Sequence, residues 1–429
     1  MEPHATAAPA AASAGTPGTI PGVLGDSAAV SPPSRGRIDS VDLLRGLVMV
    51  FMLLDHTRDF VHANAVRFDP TDLSQTSPEL FLTRWITHFC APIFVFLAGT
   101  STYLQLLRGK TRAEVSRLLW TRGLWLIVLE FTLVRAGVVF NLDYGTVLAL
   151  PQVIWAIGVS MIVLAALVHL PLRVVGAFGV AMVALHNLLD GIRVPFWRGP
   201  GTPPPDWDGG LWMLLHQSGP LPLQSDGSPM VIVLYPLVPW IGVLAAGYAF
   251  GAVYAMDAER RRRWLLRLGV GMIAAFVVLR GFNLYGNPGD WSPQRNAVYS
   301  VLSFLNTNKY PPSLLFLLMT LGPAMLALAW FERVRANPGS RALVTLGRVP
   351  MFYYLLQWPV AHLIAIGLSV AAGKPIVTFA LGGPVPPGYG FHLSVVYAAW
   401  ILGLLVLYPL CAWFAGVKRK RKDWWLSYI

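Results

Sequence analysis

The chain has 429 residues, of which 55% are hydrophobic and only 13% are charged, and its net charge is +12. Soluble domains carry about 25% charged residues, so these side chains are too few to solvate the two or three soluble domains that the length would allow. The composition excludes an ordinary cytosolic globule and the disordered and fibrous classes, and it predicts an all-α, polytopic membrane protein. The basic excess is assigned to cytoplasmic loops and not to nucleic-acid binding.

The chain begins with residues 1–36, which are rich in Ala, Pro, Gly and Ser and lack the basic start and apolar core of a signal peptide. We expect a disordered tail there. Ten apolar stretches follow, each near the ~20 residues that cross a hydrocarbon core. These predicted helices lie at about 40–61, 80–105, 118–140, 147–168, 172–189, 230–254, 264–283, 311–331, 342–369 and 392–416. They form a transmembrane domain over 37–416, followed by a basic tail over 417–429.

The basic residues predict the orientation of these helices. If the N-terminus is cytoplasmic, most of the 33 Lys and Arg residues fall in inside segments, including the runs at 260–263 and 418–422. Only a few, among them Arg58 and Lys309, are assigned to outside loops. An odd number of crossings would mix the two classes. We therefore expect ten helices with both termini cytoplasmic, in the cell inner (plasma) membrane.

The two longest outside loops, 62–79 and 190–229, carry acidic residues, and the second is also rich in Pro, Gly and Trp. Loops of this length usually cover or build a site. The Trp side chains suit either an interfacial aromatic belt or stacking against a sugar ring.

Charges inside predicted transmembrane helices are costly, so each is a candidate functional residue. The first helix contains Asp42, Arg45, Asp55 and His56. Eleven steps of 100° make three turns plus about 20°, so Arg45 and His56 share a face, about 16 Å apart along the axis. A cation near the cytosol can hold an anionic donor, and a histidine in the outer half can exchange a proton. Alternatively, Arg45 is a structural partner of Asp42.

Asp55 lies about 100° away from His56, so we expect it to orient a neighbouring element instead of contacting that ring. In the second helix, Arg84 and His88 are four residues apart and share a face, as binding residues or as an interhelical polar contact. In the third helix, Glu130 and Arg135 suggest a buried ion pair, or pairs with charges of the first helix.

Several signatures are absent from the sequence. It contains no Walker loop, dinucleotide-binding glycine fingerprint, zinc-binding helix motif or Ser-centred elbow. The two cysteines, Cys90 and Cys411, have neither metal-ligand spacing nor a disulfide framework. We expect no metal.

Five motifs indicate a family. They are Arg37-x-Asp39-x-x-Asp42-x-x-Arg45-Gly46 ending in His56, Phe89-x-x-Pro92-x-Phe94-Val95-Phe96-x-x-Gly99, Tyr235-Pro236-x-x-Pro239-Trp240-x-Gly242, the 304–313 stretch through Pro311-Pro312-Ser313, and Gly347-Arg348-Val349-Pro350-x-Phe352-x-Tyr354. In this order, over roughly residues 36–416, they resemble a bacterial member of the heparan-α-glucosaminide N-acetyltransferase catalytic-domain family. More widely, the chain is similar to the transmembrane acyltransferase superfamily.

This resemblance implies an acyltransferase that moves an acyl group, usually acetyl, from cytosolic acetyl-CoA to an acceptor outside the membrane. The acidic, Trp-rich loops suit a sugar or amino sugar as that acceptor. The Arg45/His56 pair is similar to the arginine–histidine signature of bacterial polysaccharide O-acyltransferases, which supports His56 as the active histidine. In the lysosomal branch the active histidine comes later in the chain, which fits His62 better.

The expected site follows from these arguments. The candidate catalytic residues are His56, Asp55 and His62, and the candidate substrate- and donor-binding residues are Arg45, Asp42, Arg84, His88 and Arg122. The expected partners are the lipid bilayer, acyl-CoA and a glycan or amino-sugar acceptor, without nucleic acid. The alternative function is a proton-coupled transporter or flippase for a polar or lipid-linked solute, with the buried charges as a proton relay. An inverted repeat would favour transport, and no internal symmetry is evident.

Overall fold

The computed structural model describes residues 39–64, 67–377, 385–421 and 423–428. The tail predicted over 1–36 lies outside this part of the chain. The elements of the described part are α1 (Asp39–Val61), α2 (Pro78–Thr87), α3 (Cys90–Leu107), α4 (Arg112–Leu129), a π-helical turn (Glu130–Val134), α5 (Arg135–Val139), β1 (Val147–Ala149), α6 (Val153–Leu167), α7 (Leu172–Leu185) with a 3₁₀ turn (His186–Leu189), α8 (Trp207–His216), β2 (Gly219–Pro222), β3 (Met230–Val233), α9 (Leu237–Phe250) with a 3₁₀ turn (Gly251–Ala255), α10 (Ala258–Gly281), α11 (Ala297–Leu305), α12 (Leu314–Phe331), α13 (Pro338–Arg348), α14 (Pro350–Ala371), α15 (Leu393–Lys420) and a 3₁₀ turn (Trp424–Ser427).

Each predicted apolar stretch coincides with one or two of these helices. Within the described residues, seven helical segments are long and apolar enough to cross a membrane. They are Pro78–Leu107, Leu172–Leu189, Leu237–Ala255, Ala258–Gly281, Leu314–Phe331, Pro350–Ala371 and Leu393–Lys420. Many apolar side chains of α7, α10 and α15 are exposed on the isolated chain, and lipid is the medium that covers such surface. The protein is therefore an all-α polytopic membrane protein, and the ten crossings with cytoplasmic termini stay a prediction.

Two predicted helices begin later than expected because their first residues form strands. β1 pairs in parallel with β3, and β2 pairs antiparallel with β3, giving the order β1-β3-β2. Pro151 and Pro236 stand just before α6 and α9. A residue that precedes proline is pushed out of the helical region, so the chain stays extended up to each proline. At the other end of the domain, α15 continues to Lys420, past the boundary predicted at 416.

Helix α1 is surrounded by α3, α12, α13, α14 and α15. Its closest approach is to α13. A Cβ on Gly46 would lie 1.9 Å from the carbonyl oxygen of Leu343, and a Cβ on Gly347 would lie 2.0 Å from that of Asp42. Two glycines thus let the backbones touch, as small residues do between membrane helices. The contact brings the start of α1 against the Gly347-Arg348 motif.

Candidate active site

The expected site residues divide into two groups at opposite ends of α1. Asp42 and Arg45 lie in its first two turns, and Asp55 and His56 lie near its other end. At 1.5 Å per residue, Asp42 and Asp55 are about 20 Å apart along the axis. The helix itself therefore separates two sites, which we call the Arg45 end and the Asp55 end.

At the Arg45 end, the guanidinium joins three helices. Arg45 donates to the Asp42 carboxylate at 3.0 Å, to the Gly347 carbonyl at 3.0 Å and to the Ser101 hydroxyl at 2.9 Å. The Arg348 Nε lies 3.6 Å from the other oxygen of Asp42. Arg122, on α4, is within electrostatic range of Arg45. The structure thus brings together Asp42, Arg45 and Arg122, and it confirms the Asp42–Arg45 pairing.

At the Asp55 end, the buried Asp55 carboxylate accepts hydrogen bonds and forms ion pairs with several side chains. Arg84 donates through Nη1 to both oxygens of Asp55, at 2.7 and 2.7 Å. The Thr87 hydroxyl donates to Oδ1 at 2.8 Å, and Arg58 Nη2 lies 3.0 Å from the same oxygen. The Lys309 ammonium lies 3.9 Å from Oδ2. Three cations thus surround one carboxylate, and charge-assisted bonds of this kind are the strong ones.

Local helix geometry explains how this cluster forms. Ser77 caps α2 by accepting from the Leu80 N–H, and a proline occupies the first turn. Arg84 and Thr87 are three residues apart, so they lie on one face of α2, and that face meets Asp55. The Asp55 side chain thus orients α2, as the sequence predicts.

The cluster continues into the loop before α12. The Arg84 Nη2 donates to the Tyr310 hydroxyl at 3.4 Å, and the Tyr235 ring packs against the Tyr310 ring with centroids 5.4 Å apart. Burial raises the pKa of Tyr310, but the nearby Lys309 and Arg84 cations outweigh it and lower the pKa below its ordinary value. Tyr310 is therefore a hydroxyl in a strongly cationic environment.

A cavity of about 440 Å³ opens beside this cluster. Arg84, His88, Lys309 and Tyr310 line it, so Arg84 and His88 share one site as their spacing predicts. The His88 Nδ1 is buried and has no hydrogen-bond partner among the described residues. Further polar lining residues are Asp69, Thr71, Arg280, Asn287, Asp290, Ser292, Gln294, Ser303, Asn306, Thr307 and Asn308. Such convergent donors and acceptors suit a polar, hydroxyl-rich ligand.

His56 is adjacent to Asp55 in sequence but points elsewhere. Its ring lies 3.6 Å, centroid to centroid, from the Trp358 ring of α14, and it is not among the described residues that line the cavity. Its Nδ1 is buried and has no hydrogen-bond partner in the described part of the chain. The imidazole therefore has a nitrogen available for chemistry.

His62, the alternative histidine, makes local contacts through both its backbone and its side chain. It forms a bridge with Phe391 just before α15, and its Nδ1 accepts from the Asn64 N–H at 3.2 Å. Burial lowers the pKa of His62 to about 4, and the positive Arg58 side chain lowers it in the same direction. The ring is thus neutral at ordinary pH, with one nitrogen already used.

Two cations predicted from the sequence to lie in outside loops are buried: Arg58 lies within α1, and Lys309 lies in the loop before α12. Arg58 and Lys309 are only 2% and 8% exposed, and both face Asp55. The Arg58–Asp55 contact could have been predicted, because Arg58 follows Asp55 by three residues and so lies on the same helical face. For Lys309, no sequence signal was available, because its partner is more than 250 residues away.

The ion pair predicted in the third helix is wrong. Arg135 donates to the carbonyl oxygens of Val147, at 2.8 Å, and Asn141, at 2.5 Å. Glu130 instead accepts from the Trp155 N–H at 2.9 Å, at the start of α6. Both side chains are fully buried, and each satisfies backbone groups.

The fold and the buried charges define a polytopic membrane protein with a polar site inside its helix bundle. The family model described as "Heparan-alpha-glucosaminide N-acetyltransferase, catalytic" matches residues 37–281. The chain belongs to this family, and it is a membrane acyltransferase. A comparison with curated proteins finds no match. The matched region holds Arg45, Asp55, His56 and Arg84, whereas Lys309 lies beyond it.

Proposed function

We propose that this acyltransferase moves an acetyl group from cytosolic acetyl-CoA to a sugar or amino sugar on the extracytoplasmic side of the membrane. The observation that carries the proposal is the Asp55 cluster, in which Arg84, Arg58 and Lys309 hold one buried carboxylate beside His56. Buried ionisable groups inside a membrane protein mark functional sites. Family membership supports acyl transfer as the reaction at this site.

The proposed reaction uses His56 as the general base. Its free nitrogen takes the proton from an acceptor hydroxyl or amine while that atom attacks the thioester carbonyl. A new C–O or C–N bond forms, the C–S bond breaks, and the CoA thiolate recovers the proton from His56. Asp55 does not touch the ring; it fixes this turn of α1 through Arg84, and Trp358 holds the imidazole plane.

The donor is proposed to bind toward the Arg45 end. A guanidinium binds phosphate oxygens bidentately, and Arg45 and Arg122 supply two such groups at that end of the bundle. The roughly 16 Å between Arg45 and His56 matches a donor whose anionic part and thioester are far apart. Arg45 would exchange its bonds to Gly347 and Ser101 for phosphate oxygens when the donor binds.

The acceptor is proposed to bind in the cavity of about 440 Å³, with its reacting group extending past Lys309 toward His56, which lies within electrostatic range of that cation. Its Asn and Ser side chains present both donors and acceptors, as a sugar requires. The His88 imidazole, with an unpartnered nitrogen, would orient the acceptor hydroxyl. This assigns His56 to proton transfer and His88 to acceptor binding, so substitutions at the two positions should differ in kinetics.

The test uses purified protein in proteoliposomes, with release of CoA and labelled acetyl transfer as readouts. We expect His56→Ala to abolish transfer and His88→Ala mainly to raise KM for the acceptor. His62→Ala should keep transfer, and the exposed His169→Ala serves as a matched control. Full activity of His56→Ala with loss in His62→Ala would reassign the base. Solute uptake without acetyl-CoA, and without CoA release, would instead favour a transporter.

The acceptor itself is best identified in cells. Mass spectrometry of envelope glycans and lipids, with and without the gene, should show a species that loses one acetyl group. Expression of His56→Ala in the deletion strain should fail to restore that species. An unchanged envelope in all strains would contradict an extracytoplasmic glycan acceptor.

A further inference from the structure

A second cluster of ionisable side chains shares no residue with the Asp55 cluster. His186 and Asp190 lie in and just after the 3₁₀ turn that ends the α7 segment, and His216 is the last residue of α8. One nitrogen from each histidine and one carboxylate oxygen all lie within 4.8 Å of one another. His186 and His216 are 2% and 3% exposed. None of these three residues has a role in the proposed acyl transfer.

The spacing of the two histidine nitrogens fits a single metal ion. His186 Nδ1 and His216 Nε2 are 3.2 Å apart. Tetrahedral zinc holds nitrogens at about 2.0–2.1 Å, which separates two such ligands by about 3.3 Å. Two imidazoles and one carboxylate suit zinc better than magnesium or calcium, which prefer oxygen ligands.

A neighbouring amide also fixes the Asp190 carboxylate by a hydrogen bond, as is usual for carboxylates that bind a metal. Asn187 Nδ2 donates to the Asp190 Oδ2 at 2.8 Å. The Oδ1 of the same amide accepts from the Leu314 N–H at 2.9 Å, at the start of α12. Such supporting bonds orient the side chains that bind a metal and raise the metal affinity. The cluster therefore has an outer shell that ties it to the loop before α12.

This loop is part of the acceptor cavity. Ser218, two residues after His216, donates from its hydroxyl to the Tyr310 carbonyl at 3.1 Å. Tyr310 in turn accepts from Arg84. A metal on His216 would thus fix the position of Ser218 and, through it, one wall of the cavity.

We propose that His186, Asp190 and His216 bind a zinc ion that fastens α8 to the end of α7 and holds the Tyr310 wall of the cavity in place. The ion has a structural role, because the cluster is separate from His56. The proposal does not depend on the acetyl acceptor, and zinc binding can be measured without acetyl-CoA.

The first experiment measures binding. The full chain, purified in detergent and stripped with a chelator, is titrated with zinc, and bound metal is counted by elemental mass spectrometry. We expect about one zinc per chain and at least a hundredfold weaker binding in His216→Ala, while the exposed His169→Ala binds like wild type. No zinc retained by wild type, or equal binding by His216→Ala, would show that the two histidines only hydrogen-bond to each other.

A second measurement stays informative if His216→Ala does not fold. Wild type loaded with cobalt should show the intense visible bands of a tetrahedral site, and Asp190→Asn should weaken them and reduce cobalt affinity 10- to 100-fold. Zinc should also raise the Tm of wild type but not of Asp190→Asn. Cobalt spectra without tetrahedral bands in wild type would overturn the site, whatever the outcome for acyl transfer.

Discussion

Replacement of Asp55 by asparagine tests the centre of the proposed site. Asparagine keeps the shape of the side chain but removes its charge. Arg84, which makes two 2.7 Å bonds to this carboxylate, then becomes a buried cation without its counter-ion, whereas Arg58 keeps its ion pair with Asp59. The perturbation is therefore electrostatic and leaves the packing of α1 unchanged.

The size of the effect follows from burial. Removing one partner of a buried ion pair costs about 3–5 kcal/mol, because the remaining charge is left uncompensated. We expect Asp55→Asn to lower the free energy of unfolding by about that amount. The double variant Asp55→Asn/Arg84→Gln should lose less than the sum of the single changes, with a coupling of about 0.5–3 kcal/mol.

The assay is reversible unfolding in mixed detergent micelles, followed by tryptophan fluorescence. Asp208→Asn, which changes an exposed acid in the first turn of α8, is the matched control and should stay within about 0.5 kcal/mol of wild type. If Asp55→Asn and Asp208→Asn unfold at the same detergent ratio, Asp55 does not neutralise the surrounding cations. Strict additivity in the double variant would equally refute the pairing with Arg84.

Three further predictions concern other parts of the fold. Gly46→Ala should lower the free energy of unfolding by about 1–3 kcal/mol or more, because the new Cβ would lie 1.9 Å from the Leu343 carbonyl oxygen. The control is Gly271→Ala, whose Cβ would have no atom within 4 Å and which should be neutral or stabilising in the same unfolding assay. Lys309→Met should raise KM for an acceptor that binds in the cavity while sparing the KM for acetyl-CoA; equal changes in both would contradict the assignment of the cavity. The native pKa of His62, about 4, lies below its ordinary 6.5, so the unfolded chain binds more protons in this window, and stability should fall as pH drops from 6.5 to 4. His62→Gln should flatten that part of a Tm–pH profile, and an unchanged slope would count against the burial of this ring.

Composition and periodicity were enough to predict the class of protein and the helices that hold the candidate site. Charge is too scarce for a soluble surface, and an apolar stretch of about 20 residues has few alternatives to a membrane helix. The pair Asp42 and Arg45 was predictable because residues three apart on a helix are neighbours. The same local rule placed Arg84 and His88 on one face, and the structure shows them lining one cavity.

Contacts between residues far apart in the sequence were visible only in the tertiary structure. Lys309 lies in a loop, as its position between two predicted helices indicates, but only the packing shows that it is buried beside Asp55. The sequence predicted an ion pair for Glu130, but its side chain accepts from the backbone N–H of Trp155 at the start of α6. His186 and His216 are 30 residues apart, and they meet where the 3₁₀ turn after α7 lies beside the last residue of α8. Sequence patterns predict which side chains share one face of a helix. The partner of each buried charge depends on which helices pack beside it.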